Sequence, residues 1–125
     1  MNRISSIAER VAVSHNVREL LKPYENLPLE CDGMTRVVTY ILGKAGIRNK
    51  TMLGTIEAEG KGEFSPHYWV ELASGEVVDY KSRMWFGNDS RIPQGVFKPG
   101  GTVVSYDGHL TSLPVNDMVF GILTT

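Results

Sequence analysis

The residues best suited to chemistry in this sequence are Cys31, which is the only cysteine, and two later side chains, His67 and Asp79. A thiolate can attack a carbonyl carbon, and an imidazole can take up the thiol proton and return it to a leaving group. A carboxylate can orient that imidazole and stabilise its charged form. In this chain order the three residues are the parts of a cysteine nucleophile with its base and its orienting group.

The segment that begins at Cys31 has the pattern of a buried helix. Residues 31–45 place apolar side chains at the i, i+3, i+4, i+7 spacing, and Gly46 is typical of a helix stop with a positive φ. Amides at a helix N-terminus carry a partial positive charge, which favours the thiolate form of a cysteine placed there. The pattern therefore predicts a cysteine at the start of a core helix.

His67 and Asp79 fall where the apolar pattern has changed from a helical period to a period of two. That period is typical of strands, and a short turn between two strands indicates a hairpin. A hairpin would let the two side chains lie side by side. The predicted elements are strands over residues 51–58, 67–72 and 77–80, with a hairpin turn over residues 73–76.

The remaining segments have weaker patterns. An amphipathic period near the N-terminus predicts a helix that a proline ends, and short apolar runs late in the chain favour strands. The predictions are a helix over residues 3–22 with a possible boundary at 14–16, loops over 23–30 and 59–66, strands over 102–106 and 118–123, and a loop over 107–109.

The composition indicates one ordinary globular domain over residues 1–125. The sequence is 42% hydrophobic and 22% charged, with a net charge of −1, which gives no reason to expect nucleic acid or an anionic membrane as a partner. It contains no apolar run of the length that a membrane span needs and no signal-peptide pattern at its start. A lone cysteine excludes an internal disulfide and favours a reducing compartment, so we expect a cytoplasmic protein.

Other interpretations of the same side chains remain open at this point. A lone cysteine is more often a small buried apolar residue than a nucleophile. Cys31, His67 and either His109 or Asp79 could surround a zinc ion, but their spacing is unlike that of a structural zinc site, and we expect no metal. His15 and His109 are expected at the surface.

Several local motifs follow one another between Cys31 and Tyr80. They are Cys31-Asp32, Ala45-Gly46-Ile47, Gly54, His67-Tyr68-Trp69-Val70-Glu71 and Val78-Asp79. This run, about 50 of the 125 residues, resembles the transglutaminase-like core of the papain-like cysteine enzymes. The resemblance implies an α+β fold with N-terminal helices, in which the nucleophile helix packs on a small antiparallel sheet. It also implies Cys31 as nucleophile, His67 as base and Asp79 as orienter.

The sequence departs from this family at some positions. Tyr68 stands where the family usually has a small residue, and Glu25 stands where many papain-like enzymes have a glutamine that donates to the oxyanion. An ionised glutamate cannot donate a hydrogen bond. Asn26 is the nearest amide, and we take Asn26 and Trp69 as the candidate oxyanion or substrate-binding residues, together with the backbone amide of Cys31.

The function that these residues imply is acyl transfer through a thioester. Cys31 would attack an amide of a protein or peptide substrate, and water or an amine would then release the acyl group. The sequence leaves peptide hydrolysis, deamidation and transglutamination open, and we favour hydrolysis because so small a domain has little material to exclude water. No cofactor is expected. The alternative is a papain-like fold that has lost its chemistry and acts as a binding module.

Overall fold

The computed structural model describes residues 13–125 and shows an α+β protein with an antiparallel sheet. The helices are α1, described over residues 13–21, α2 (Cys31–Lys44) and α3 (Asp117–Leu123), with a short 3-10 turn at Lys22–Tyr24. The strands are β1 (Asn49–Ala58), β2 (Gly62–Leu72), β3 (Val77–Asp79), β4 (Gly95–Phe97) and β5 (Val104–Leu110). Their order in the sheet is β4-β3-β2-β1-β5.

The prediction of a core helix that begins at the cysteine is confirmed. Cys31 is the first residue of α2, Glu30 is its N-cap, and Gly46 follows the helix with a φ of +71°. The apolar stripe of α2 is buried against the sheet because those positions recur on one side of a 3.6-residue helix. The resulting helix-side core consists of Val17, Leu21, Met34, Val37, Val38, Leu42, Val70, Leu72, Val78 and Val96.

Helix α1 agrees with the predicted N-terminal helix over the part that the structure describes. Residues 13–21 are helical through positions 14–16, so the suggested boundary between two shorter helices is absent from this described segment. The predicted residues before 13 lie outside the described residues. Pro23 stands in the 3-10 turn that follows the helix, which agrees with its prediction as the end of the α-helical segment. Among residues 13–125, no helix has the length and apolar character to cross a bilayer.

The predicted loop over residues 59–66 is wrong beyond residue 61, because β2 already begins at Gly62. Most residues in this segment are polar, so their pattern does not indicate a strand. In the structure, Phe64 of this strand pairs with Ile56 of β1. Pro66 lies where the register between the two strands shifts, a position that does not need the hydrogen-bond donor proline lacks. The hairpin from β2 to β3 is confirmed, with Gly75 in the turn at a φ of +88°.

The end of the chain also differs from its prediction. Residues 107–109 continue β5 and pair with β1, whereas a connecting loop was expected. Residues 118–123 form most of α3, not a strand, because Asn116 caps the helix by accepting a hydrogen bond from the Val119 amide. Phe120 stacks on Tyr40 of α2 with ring centroids 4.1 Å apart. An apolar run this short does not distinguish a helix from a strand.

The sheet is strongly curled. Neighbouring strands lie about 4.8 Å apart, so the two edge strands of a flat sheet in this order would be roughly 19 Å apart. Yet Phe97 of β4 and Tyr106 of β5 have ring centroids 6.4 Å apart. Side chains from distant strands therefore meet over one face of the sheet, beside a loop-side core of Ile56, Ala58, Phe86, Ile92 and Val104.

Candidate active site

The hairpin from β2 to β3 brings His67 and Asp79 into direct contact. Val70 pairs with Val78 and Glu71 with Val77, which leaves His67 and Asp79 on the same side of neighbouring strands. The His67 Nε2 is 2.7 Å from the Asp79 Oδ2, and the two side chains are 0% and 2% exposed. At this burial, water does not compete for the hydrogen bond or screen the charge of the carboxylate.

Asp79 is held by neighbours at both of its carboxylate oxygens. The Tyr106 hydroxyl donates to Oδ2 at 2.9 Å, the same oxygen that faces His67. The backbone amide of Lys81 donates to Oδ1 at 2.9 Å. A carboxylate anchored at both ends is fixed in orientation, and it fixes the imidazole in turn.

The other nitrogen of His67 also has a partner. The indole Nε1–H of Trp85 donates to Nδ1 at 3.2 Å. A neutral imidazole has one donor and one acceptor nitrogen, so this contact assigns the acceptor to Nδ1 and the proton to Nε2, facing Asp79. Trp69 stacks on the same imidazole, with ring centroids 6.0 Å apart.

Cys31 lies next to this imidazole at the start of α2. The cysteine is 7% exposed, and its side chain is one of the groups that act on His67. Burial by itself lowers the pKa of His67. The hydrogen bond to Asp79 and the interaction with Cys31 outweigh this effect and raise the pKa to about 9. Asp79 and Cys31 therefore stabilise an imidazolium, the partner that a thiolate needs, whereas the Trp85 N–H favours the neutral ring.

Two glycines make room for this site in the sheet. Gly54 of β1 lies opposite both His67 and Gly108. A Cβ on Gly108 would lie 2.4 Å from the Trp69 ring, and a Cβ on Gly54 would lie 2.4 Å from the Gly108 Cα. Neither contact is sterically possible without a shift of the backbone. The glycines thus allow β1 and β5 to approach closely and Trp69 to lie flat beside His67.

The other predicted site residues occupy different surroundings. Trp69 is 1% exposed, and its indole nitrogen has no hydrogen-bond partner among the residues that the structure describes. Asn26 is exposed and lines an open groove of about 500 Å³ that Glu25 and Lys81 also line. Lys81 donates from its ammonium to the Leu27 carbonyl at 2.8 Å, which ties the loop before Cys31 to the segment after Asp79.

The histidines outside the site agree with their prediction. His15 and His109 are both exposed. Within the described part of the chain, no group of three histidine, cysteine, aspartate or glutamate side chains is arranged to hold a metal ion.

Sequence reasoning missed Tyr106 and Trp85 as members of the site. Tyr106 was predicted in a strand, but the approach of β5 to β3 depends on the curl of the sheet, which no local pattern encodes. Trp85 lies in a turn-rich segment over residues 80–87 that has no period. The only signal in the sequence was the residue type of Trp85, because a tryptophan in a polar loop needs a partner for its N–H.

In comparisons with protein-family models, curated proteins and solved structures, nothing matches this chain. Its function is therefore inferred from the geometry of the site and from the motifs in the sequence.

Proposed function

We propose that this chain is a cysteine-nucleophile acyl-transfer enzyme with a transglutaminase-like variant of the papain-like fold. One observation carries the proposal: Cys31 begins a helix beside an imidazole whose other side is held by a buried carboxylate, 2.7 Å from Nε2. A buried histidine and aspartate in this contact are costly unless they are used or fully paired. Here they face the one thiol of the chain.

The reaction follows from the positions of the nitrogens. The Cys31 sulfur attacks the carbonyl carbon of an amide while its proton passes to Nδ1 of His67. The same proton then goes to the leaving amine, the C–N bond breaks and a thioester remains on the sulfur. Water or a second amine attacks the thioester, again losing its proton to Nδ1, and the thiol is restored. Asp79 keeps its charge throughout and holds Nε2–H.

The motifs that carry the resemblance support the fold assignment. Cys31-Asp32 opens α2, Ala45-Gly46-Ile47 ends it, and the His67 motif and Asp79 lie on adjacent antiparallel strands. This is the arrangement that the transglutaminase-like resemblance implies. We propose a protein or peptide substrate, release by water as the favoured outcome, and a reducing setting such as the cytoplasm, because the thiol must stay reduced. These steps need no cofactor.

A binding module without catalysis is the second candidate. Its support is the burial of the centre, since Cys31 is 7% exposed and His67 is 0% exposed. A substrate carbonyl cannot reach the sulfur unless a covering side chain moves. A papain-like fold that had lost its chemistry could have such a permanently closed centre.

Labelling of Cys31 with iodoacetamide between pH 5 and 9 separates the two candidates. It can be followed by intact mass because the chain has one cysteine. We expect the unaltered chain to label faster than His67→Ala in the acidic and neutral part of this range, because the imidazole assists the thiol. His15→Ala is the matched control, since it removes an exposed imidazole on α1. Identical profiles for all three proteins would refute the enzyme and favour the binding module.

A further inference from the structure

We propose that Trp85 is a positioning residue that competes with the Cys31 thiol for His67 at rest, and that Cys31 becomes more reactive when a substrate displaces the indole. The proposal rests on the proposed function and adds a way in which the reactivity of Cys31 is controlled. Its basis is the hydrogen bond from Trp85 Nε1–H to His67 Nδ1 at 3.2 Å.

That hydrogen bond uses the lone pair that catalysis needs. Nε2 of His67 faces Asp79, so Nδ1 is the nitrogen left to accept the thiol proton. An sp² ring nitrogen has one lone pair, and while the indole donates to it no proton can be added there. The indole and the thiol therefore compete for one acceptor.

The two partners of the imidazole favour opposite charge states. Asp79 stabilises the imidazolium, whereas Trp85 can donate only to the neutral ring, because a protonated Nδ1 would direct its own hydrogen at the indole N–H. Among residues 13–125, the other titratable neighbours are Cys31 from α2 and Tyr106 from β5, whose hydroxyl donates to Asp79. Removal of the indole N–H thus frees Nδ1 of His67 to accept the Cys31 proton.

The position of Trp85 suits it to move. Its ring is half-buried and stacks on Phe64, which is 39% exposed, with centroids 5.4 Å apart. The imidazole beneath is completely buried. Trp85 therefore lies between the imidazole and solvent, where a rotation of its side chain would uncover the site.

The backbone that carries Trp85 is anchored on both sides. The Arg83 Nε donates to the Ile92 carbonyl at 2.6 Å, and the Ser82 hydroxyl donates to the Pro93 carbonyl at 2.5 Å. Phe86, the next residue, is buried in the loop-side core. The segment can stay in place while the indole turns, so opening requires no unfolding of the loop.

The test is Trp85→Phe, which keeps an aromatic ring over the site and removes the N–H. Iodoacetamide labelling of Cys31 at pH 7 should become faster on the order of 10-fold, the equivalent of one net hydrogen bond, and its pH profile should shift to lower pH. In Trp85→Phe combined with His67→Ala, the gain should vanish, because the indole acts through the imidazole.

Each other outcome identifies what has failed. If Trp85→Phe labels like the unaltered chain while His67→Ala is slower, the role of Trp85 is overturned and the proposed function stands. If the gain persists without His67, the indole only covers the sulfur, and the positioning role is overturned. If every variant labels alike, activation of the thiol and its control by Trp85 both fail.

A measurement on the unaltered chain guards against a variant that does not fold. In a pH titration followed by ¹⁵N NMR, the Trp85 indole N–H resonance should shift with the same midpoint as the His67 ring nitrogens, since protonation of Nδ1 breaks their hydrogen bond. An indole resonance that does not change while His67 titrates would overturn the proposal.

Discussion

Two places in this protein combine a tyrosine, an aspartate and a basic side chain, but they differ in exposure. In the site, the Tyr106 hydroxyl and the His67 ring both contact the Asp79 Oδ2, at 2.9 and 2.7 Å. At the junction of α2 and α3, the Tyr40 hydroxyl donates to the Asp117 Oδ1 at 2.6 Å, and the Lys44 ammonium is 3.6 Å from the same oxygen. We call Tyr40, Asp117 and Lys44 the junction cluster.

Burial is the main difference between the two sets. The side chains of His67 and Asp79 are 0% and 2% exposed, whereas those of Lys44 and Asp117 are 66% and 83% exposed. Water screens the charges of the junction cluster and offers each group another partner. In the site no such replacement exists, so a change at one member alters the others.

Residue types and short distances do not by themselves identify a reactive centre. Both sets raise the pKa of their tyrosine: Tyr40 mainly through its hydrogen bond to Asp117, and Tyr106 mainly through burial and then the charge of Asp79. Only the buried set lies beside a thiol, and only there can the coupling change reactivity. If burial makes this difference, substitutions in the buried set should have the larger effects.

Asp79→Asn should have the largest effect on chemistry. The amide is nearly isosteric, so the fold should persist, but it cannot stabilise the imidazolium and can favour the wrong tautomer. The same change in the triad of a serine protease lowers the rate by about 10⁴-fold. A thiolate depends less on the orienter, so we expect a loss on the order of 10 to 10³-fold in labelling of Cys31 at pH 7. A rate equal to that of the unaltered chain would make Asp79 purely structural and leave a dyad.

The pH dependence of stability should be dominated by the site. The pKa of His67 is raised in the folded protein from 6.5 to about 9, so its stabilising contribution is complete below pH 6.5 and is lost as the pH rises through about 9. The free energy of unfolding, measured with urea at several pH values, should fall across that window by up to about 3 kcal/mol. Asp79→Asn should flatten much of this decline; an equally steep decline in that variant would assign it to other groups.

Tyr106→Phe should have an intermediate effect. It removes one hydrogen bond to Asp79 and leaves the ring packed on Trp69, with centroids 4.8 Å apart in the unaltered chain. We expect a loss of about 1–2 kcal/mol in the free energy of unfolding and a few-fold change in labelling of Cys31. If labelling falls as far as in Asp79→Asn, Tyr106 is required to orient the carboxylate and is more than a supporting contact.

Asp117→Asn should have the smallest effect and serves as the exposed counterpart of Asp79→Asn. The junction cluster is open to solvent, and exposed ion pairs of this kind contribute little. The melting temperature should change little, and labelling of Cys31 should not change. A marked loss of stability would show that exposure does not set the difference between the two clusters.

The parts of the fold that were predictable have strong local patterns. The α2 period, the Gly46 stop and the turn between β2 and β3 each depend on residues close in sequence. The early start of β2 and the helical state of α3 were missed because their residues are polar or their apolar run is short, and pairing or packing decides between the alternatives. Local sequence carries little of that information.

The candidate site shows the same division. Cys31, His67 and Asp79 could be selected from residue type, order and motif resemblance, and their elements bring them together. Tyr106 and Trp85 could not, since Tyr106 reaches Asp79 only because the sheet curls, and Trp85 reaches His67 from a segment without periodic structure. Contacts of this kind follow from the tertiary fold.

The most direct test of the proposed site is the ultraviolet absorbance of the Cys31 thiolate as a function of pH, in the unaltered chain and in His67→Ala. The proposed function requires that the buried His67–Asp79 pair act on the thiol. If it does, the thiolate absorbance of the unaltered chain should appear at lower pH than that of His67→Ala. Coincident titration curves would contradict the claim, because they would show a thiol that the imidazole does not affect.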